Sequence, residues 1–154
     1  MQSTNASLLA DLPTQPIATD WQSFLQKVLA AFDCTTGTLH RLDPADGMLK
    51  LVTSERIPEH LMGVISVIPV GKGIAGAAAQ RREPVEICNL QTDTTGVARP
   101  DAKTTGVQGN IAVPIQDGER LCGTLGIGKF QPYDFTDAEK AQLLELTEAI
   151  AARL

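Results

Sequence analysis

The sequence predicts one α+β domain built on a mainly antiparallel sheet of five to six strands, and three observations support this fold class. Turn-forming residues at Asp43–Gly47 and at Asp117-Gly118 each separate two strand-like runs, which is typical of antiparallel hairpins. Apolar residues recur at helical spacing near both chain ends, so two longer helices are expected to cover one face of the sheet. Short helices and a long polar loop of the middle third are left for the other face.

The first segment of the chain is a polar leader followed by an amphipathic helix. Residues 1–17 are polar and contain two prolines, and they predict a flexible leader, with at most a short turn, outside a domain that spans residues 18–154. The helix begins at Thr19 or Asp20, either of which can cap it. Its apolar stripe, Trp21–Phe32, indicates packing against a sheet or a partner helix.

Between this helix and the long loop, strand-like and short helical segments alternate. β-branched residues predict the strands, proline and glycine mark the turns, and a run of alanines predicts a short helix. In chain order the predicted segments are strands at Thr36–Leu42 and Met48–Ser54, a helical turn from Pro58, an extended run at Val64–Val70, a helix at Ile74–Arg82 and a strand at Val85–Cys88.

The last third of the chain begins with Asn89–Gly109, which is rich in Thr, Asp and Gly and has no hydrophobic periodicity. So long an irregular segment inside a compact domain is usually a functional or mobile loop. Strands are predicted at Asn110–Gln116 and Arg120–Lys129. Thr136 is expected to cap a final helix that runs to Leu154 and buries one apolar face.

Composition and charge exclude several classes of function. The 154 residues carry a formal net charge of −5 without a cluster of Lys and Arg, so no nucleic acid is expected as a partner. No run approaches the ~20 apolar residues of a membrane span. The N-terminus is unlike a signal peptide, so a cytoplasmic protein without membrane contact is expected. Cys34, Cys88 and Cys122 are widely spaced, which predicts reduced, mostly buried thiols and neither a metal nor a cofactor.

Gly71–Gly76 forms the glycine pattern GxGxxG between an extended segment and a helix, which is the setting of a dinucleotide site. The helix that follows has only about eight residues before Pro84, too few for a crossover between parallel strands. The glycines therefore indicate a tight strand-to-helix turn. Free backbone N–H groups at the start of the helix would still favour an anionic group of a ligand.

Five segments give the chain a resemblance to a GAF domain over about residues 18–154, in the order and spacing of that family. The resemblance implies a PAS-like antiparallel sheet with terminal helices on one face and short helices plus a long loop on the other. It also implies a regulatory domain that senses a small molecule. The segments are Ile68–Ala77, Arg82–Ile87, Ile111–Ile115, Gly118–Lys129 and Asp134–Leu144.

In GAF domains the ligand lies between one sheet face and the short helices and loop of the middle third. By strand alternation Thr38 and His40 share a face, although His40 can equally be a satisfied core or surface histidine. Arg99 is the loop residue best suited to an anionic ligand, unless it is simply solvated. The candidate ligand-binding residues are Thr38, His40, Thr53, Ile74, Asp93, Arg99, Asp101 and Asn110.

Two subclasses of the family can be compared residue by residue. Cyclic-nucleotide-binding GAF domains often carry Asn-Lys, then Phe, then Asp-Glu, and the matching positions here keep only Lys129 and Phe135. A Lys129–Glu139 pair could replace their usual salt bridge, but the last charge is reversed at Lys140. The resemblance therefore gives little support to a cyclic nucleotide, and the usual Cys-His pair for bilin attachment is absent.

Free methionine-(R)-sulfoxide reductases are also stand-alone GAF domains of this length. Their chemistry needs an attacking thiolate close to a resolving thiol. The resemblance places two of their cysteines at the positions of Ala75 and Ile65, and the third in a loop that has none here. No other catalytic constellation emerges, so the chain is not expected to be an enzyme.

Three functions follow, in order of preference. The first is a sensor in which a ligand orders the Asn89–Gly109 loop and shifts the terminal helices. The second is a homodimerising module without a ligand, in which Trp21–Phe32 and the Leu143–Leu154 helix pair across a two-fold axis. The third, disfavoured by its misplaced cysteines, is the reductase.

Overall fold

The computed structural model describes residues 2–13 and 18–154 and contains one six-stranded sheet. The strands lie in the spatial order β3-β2-β1-β6-β5-β4, and every neighbouring pair is antiparallel. The predicted α+β class and antiparallel sheet are therefore confirmed. The strands are β1 (Thr36–Asp43), β2 (Met48–Glu55), β3 (Val67–Pro69), β4 (Val85–Ile87), β5 (Asn110–Asp117) and β6 (Arg120–Gly128).

Five helices cover the two faces of this sheet. The three helices nearest the chain ends pack on one face, and the two short central helices lie on the other with the long loop. Within the described residues, none of the helices is long and apolar enough to cross a membrane. The helices are α1 (Gln2–Ala10), α2 (Ala18–Ala31), α3 (Met62–Ser66), α4 (Gly73–Arg81) and α5 (Asp137–Ala151).

The main core lies between the sheet and the terminal helices. Leu39 of β1 and Leu125 and Ile127 of β6 point to this side, where they meet the apolar stripes of α2 and α5. Full burial of one such side chain contributes about 1.5–3 kcal/mol. The stripes that suggested a homodimer are thus buried inside the chain itself, because Trp21, Val28, Leu143 and Ile150 all belong to this core.

The structure differs from the predicted leader between Gln2 and Ala10, which form α1. Leu8 is buried in the main core, and the side-chain amide of Asn5 donates to the carbonyl of Gln142 on α5 at 3.2 Å. The polar composition of this segment did not predict a helix, because α1 has no long apolar stripe and is held by its tertiary contacts. The rest of the leader, residue 1 and residues 14–17, lies outside the described residues.

The structure also corrects two predictions in the middle of the chain. The predicted extended run Val64–Val70 begins inside α3 and becomes β3 only at Val67. β-branched residues suggested a strand, but tertiary contacts override this weak local preference. The predicted Asn89–Gly109 loop is irregular as a whole but contains two 3₁₀ turns, Leu90–Thr92 and Pro100–Thr105. The predicted cap of the last helix is confirmed, because Thr136 accepts from the backbone N–H of Glu139.

The end of α2 is capped by a buried lysine from the end of β6. Lys129 is 4% exposed, and its ammonium donates to the carbonyls of Phe32 and Asp33 at 3.0 and 3.1 Å. The same ammonium lies 4.1 Å from the centre of the Tyr133 ring. Lys129 thus binds the α2 terminus, while Glu139 accepts from the Tyr133 hydroxyl at 2.6 Å.

Replacing this lysine should destabilise the fold. We expect Lys129→Met to lower the free energy of unfolding by roughly 2 kcal/mol, because the two carbonyls at the end of α2, of which that of Phe32 is buried, lose their charged donor. Urea denaturation followed by circular dichroism measures the change. Lys27→Met is the matched control, since Lys27 is 53% exposed and pairs only with Asp11 at the surface. Equal stability of the two variants would contradict the capping role.

Candidate functional site

A cavity of about 190 Å³, which we call the sheet–loop cavity, lies on the face of the sheet away from the terminal helices. It is bounded by β1, β5 and β6, by α3 and the start of α4, and by the long loop, and it opens to solvent on one side. This is the place that the resemblance to GAF domains implied for a ligand. Its position follows from the short central helices, which cover only part of that face.

The floor of the cavity is made of small residues on β6 beside threonines on β1. Thr36 pairs with Gly128, and Thr38 pairs with Gly126. A Cβ atom at Gly128 would lie 2.8 Å from the Thr36 hydroxyl oxygen and 2.9 Å from a methyl carbon of Val107. Since real Cβ atoms do not approach so closely, glycine is what lets Thr36 and Val107 pack against β6 at the floor of the cavity.

The walls of the cavity are largely apolar. They combine side chains of α3 and the 3₁₀ turn before it, of β3, of α4 and of the long loop. Such a lining is typical of small-molecule sites, where a few polar groups set the orientation of the ligand. The apolar wall residues include Leu61, Val64, Ile65, Ile68, Ile74, Leu90 and Val107.

His40 joins the floor to the α3 wall. Its side chain is 1% exposed, and its Nε2 lies 2.8 Å from the carbonyl oxygen of Ile65. Burial lowers the pKa of His40, so the neutral ring donates through Nε2 and Nδ1 carries a lone pair. Among the described residues this Nδ1 has no hydrogen-bond partner, and neither has the buried hydroxyl of Thr124, the residue opposite His40 on β6.

The mouth of the cavity lies where the long loop meets the start of α4. Lys72 precedes α4 without a side-chain cap, and Arg99 and Asp101 line the same opening from the loop. The side chain of Arg99 crosses Gly73, since its Cγ would lie 3.7 Å from a Cβ there. Nearby, His60 Nε2 and the hydroxyl of Thr104 are 3.0 Å apart, which ties the 3₁₀ turn before α3 to the loop.

The structure brings six of the eight candidate residues to this cavity. Strand alternation correctly placed Thr38 and His40 together, and the face that they share is the one that lines the cavity. Whether these residues bind a ligand stays a prediction. The six candidates that line the cavity are Thr38, His40, Ile74, Arg99, Asp101 and Asn110.

Thr53 does not line the cavity, because a β-bulge changes its side of the sheet. Leu51 pairs with His40 on the cavity face, so strict alternation would place Thr53 there too. The pairing shifts between Leu39 and His40, and Thr53 therefore pairs with Leu39, which faces the terminal helices. Ser54 takes the place opposite Thr38 instead.

Asp93 also lies away from the cavity, inside the loop's own hydrogen-bond network. Its carboxylate accepts from the hydroxyl of Thr95 at 2.7 Å, and its carbonyl accepts from Lys103 at 3.3 Å. Asp93 therefore helps to fold the loop. Composition alone does not distinguish a polar residue that hydrogen-bonds within the loop from one that contacts a ligand.

Sequence reasoning missed several lining residues. Thr36 could have been found, since it lies two positions before Thr38 on the same strand face. Lys72 could also have been found, since it lies within the glycine pattern Gly71–Gly76. Ile57, Leu61 and Val64 could not have been found, because the chain around them was predicted as a turn and a strand.

The exposure of the three cysteines corrects the expectation that they are mostly buried. Among the thiols only Cys122 is buried, whereas Cys34 is half-buried and Cys88 is exposed. Burial raises the pKa of Cys34 to about 12, and a hydrogen bond with Asp134 raises the pKa of Cys88. Across the described ranges, no group of three His, Cys, Asp or Glu side chains is arranged to hold a metal ion.

Comparison with known proteins identifies the family of this fold. The sequence pattern of the GAF domain matches residues 18–154, which is most of the chain. The chain belongs to the GAF domain family. A search of curated protein sequences finds no match.

Solved structures of other GAF domains share this architecture. The GAF domain of a phosphoenolpyruvate-protein phosphotransferase from Coxiella burnetii is similar, with a TM-score of 0.83 and 18% identity over 99% of this chain and 90% of that chain. The free methionine-R-sulfoxide reductase of Neisseria meningitidis, solved with its substrate, has a TM-score of 0.73 and 18% identity over 97% and 83%. At this identity the likeness establishes the fold alone.

The neutral state of His40 should make the stability of this GAF domain depend on pH. In the unfolded chain the imidazole binds a proton below about pH 6.5, whereas the lowered pKa keeps the folded imidazole neutral. The free energy of unfolding should therefore fall as the pH drops below 6.5. Urea denaturation can follow this between pH 7.5 and 5.5, about one unit either side of that unfolded-state pKa. The free energy of unfolding should depend less steeply on pH for His40→Gln than for the native chain. His60→Gln, which removes the exposed histidine, is the matched control.

Proposed function

We propose that this GAF domain is a regulatory module that binds a compact small molecule in the sheet–loop cavity. The observation that carries the proposal is the cavity itself, with apolar walls, threonines over a glycine floor and an opening to solvent. Pockets of this composition are typical ligand sites. Within the family, the same region between sheet and loop is where a ligand is expected.

The volume of the cavity supports a small ligand. An engineered cavity of about 150 Å³ holds benzene, so about 190 Å³ suits a molecule somewhat larger than benzene. A cyclic nucleotide or a linear tetrapyrrole is much larger than benzene. This agrees with the weak match of Gly128 and Lys140 to the cyclic-nucleotide pattern.

A short chain of hydrogen bonds links the cavity to the terminal helices. Val107 lines the cavity, and the next residue, Gln108, donates through its backbone to the carbonyl of Lys129 at 2.8 Å. The side chain of Lys129 holds the end of α2 through Phe32 and Asp33. A ligand that orders the loop would therefore bias the position of α2, which is how we propose that binding is transmitted.

We propose that the domain is not an enzyme. Ile65 and Ala75 both line the cavity, so hydrocarbon stands at the two positions where the reductases resembled by this chain carry cysteine. The raised pKa of Cys34 and of Cys88 leaves little thiolate at neutral pH.

A reductase assay tests this directly. We expect no oxidation of NADPH above background when the chain is supplied with free methionine-(R)-sulfoxide, thioredoxin and thioredoxin reductase, because the cavity holds no thiol to attack the sulfoxide. An authentic free methionine-(R)-sulfoxide reductase in the same mixture confirms that the assay works. Turnover that disappears on replacing Cys34 or Cys88 by Ser would show that this protein is a reductase after all.

We also propose that the domain forms a homodimer in the cytoplasm. Leu144 of α5 is 39% exposed and is an apolar side chain on the outer surface of the terminal helices. The stripes of α2 and α5 that suggested dimerisation are occupied within the chain. Sedimentation velocity at tens of micromolar decides the point, since a monomer there would exclude the dimer.

Filling the cavity should abolish ligand binding. In a thermal-shift screen of small metabolites, we expect a hit to raise the melting temperature and to slow hydrogen exchange across residues 89–109. Ala102→Leu places a larger side chain in the lining and should weaken that binding roughly tenfold. Ala45→Leu, in the exposed β1–β2 turn, is the matched control. Hits that bind both variants equally would place the ligand elsewhere.

A further inference from the structure

The mouth of the sheet–loop cavity carries positive charge that nothing in the described part of the chain neutralises through an ion pair. Lys72 and Arg99 both line the opening, and neither takes part in an ion pair among residues 2–13 and 18–154. Asp101 lines the same opening and leaves a surplus of one positive charge. His40 adds no charge, because burial lowers its pKa.

The start of α4 adds the dipole of a helix at the same place. Lys72 is the N-cap residue, has an extended backbone and provides no side-chain cap for the first turn. The backbone N–H groups of a first turn have no partner inside the helix. Gly73, Ile74 and Ala75 form that turn and line the cavity, and the stem of Arg99 crosses Gly73. Two cationic residues and these donors therefore line the same apolar space.

The interior of the cavity points to an occupant independently of its mouth. His40 lines the cavity, is 1% exposed and has an Nδ1 atom for which the described part of the chain offers no hydrogen-bond partner. An unmet buried acceptor is costly. Such a group beside an apolar space suggests that a water held by Nδ1, over which the ligand packs, completes the site.

We infer that the ligand of this cavity is a compact monocarboxylate with an apolar body, an inference that rests on the proposed function and narrows it. The carboxylate lies at the mouth, against the first turn of α4, Arg99 and Lys72. The alkyl or aryl body lies over the glycine floor and against the apolar walls. An anion cannot go deeper, because an unpaired charge in an apolar lining loses its hydration without compensation.

The charge at the mouth also limits the charge of the ligand. Asp101 repels a second negative group, so a dicarboxylate or a phosphomonoester gains less than a single carboxylate does. The apolar body is equally necessary, since acetate alone would leave the walls around Ile65 and Ile74 uncovered. The charge of the mouth and the shape of the cavity together therefore select a ligand with one anionic end and one apolar end.

Matched pairs of small molecules test this inference on the full chain. We titrate isovalerate against isovaleramide, and benzoate against benzamide, and follow backbone amide signals by NMR. The two members of each pair have nearly the same shape and differ in charge. We expect each carboxylate to bind at least about fivefold more tightly than its amide, with shifts centred on Gly73–Ala75 and on Arg99.

Variants then separate the charge at the mouth from the cavity as a whole. Arg99→Gln and Lys72→Gln should each weaken binding of the carboxylate several-fold and leave binding of the amide unchanged. Arg81→Gln is the matched control, because Arg81 lies at the other end of α4 and outside the lining. Added salt should weaken the carboxylate alone.

The outcomes distinguish this inference from the proposed function. If amides bind as tightly as carboxylates, or if Arg99→Gln leaves both unchanged, the inference is overturned while small-molecule binding in the cavity stands. If none of the four compounds shifts the signals at tens of millimolar, the inference is also overturned. The proposed function then depends on the metabolite screen and on Ala102→Leu.

Discussion

The structure depends on an alternation of side-chain size along the central pair of strands. On β6, Leu125 and Ile127 fill the side that faces the terminal helices, while Gly126 and Gly128 let Thr38, Thr36 and Val107 pack closely against the opposite side, at the floor of the cavity. One sheet therefore supports a dense core on one face and a cavity on the other. A β-strand can do this because successive residues point to opposite faces.

The two faces are joined at the end of β6, where Lys129 follows the last floor glycine. Its backbone bonds to Gln108 and Gly109 of the loop, and its ammonium closes the end of α2. A buried lysine normally loses a large free energy of hydration. Two carbonyls and the Tyr133 ring compensate for that loss here. The residue thereby makes the loop beside the cavity and the terminal helices parts of one hydrogen-bonded unit.

The role of the glycine pattern Gly71–Gly76 becomes clear only in the fold. It forms the tight turn into α4, where Gly71 and Gly73 both have positive φ angles. A Cβ at Gly76 would lie 2.7 Å from the carbonyl oxygen of Pro69, so the close approach of strand and helix requires glycine. The turn brings the first N–H groups of α4 to the rim of an apolar cavity. That placement suits an anionic group of a small ligand and not a dinucleotide.

The sequence by itself determined the class of the fold, the hairpins, the α4 helix and the capped α5 helix, because these follow from local turn chemistry and periodicity. It also placed Thr38 and His40 on one face. Only the tertiary structure decided that α1 docks, that Val64 lies in a helix and that Thr53 faces away from the cavity. Those outcomes depend on packing between distant segments and on one β-bulge, which neither composition nor spacing encodes. The charged mouth arises in the same way, since Lys72 and Arg99 line one cavity only when the loop folds over α4.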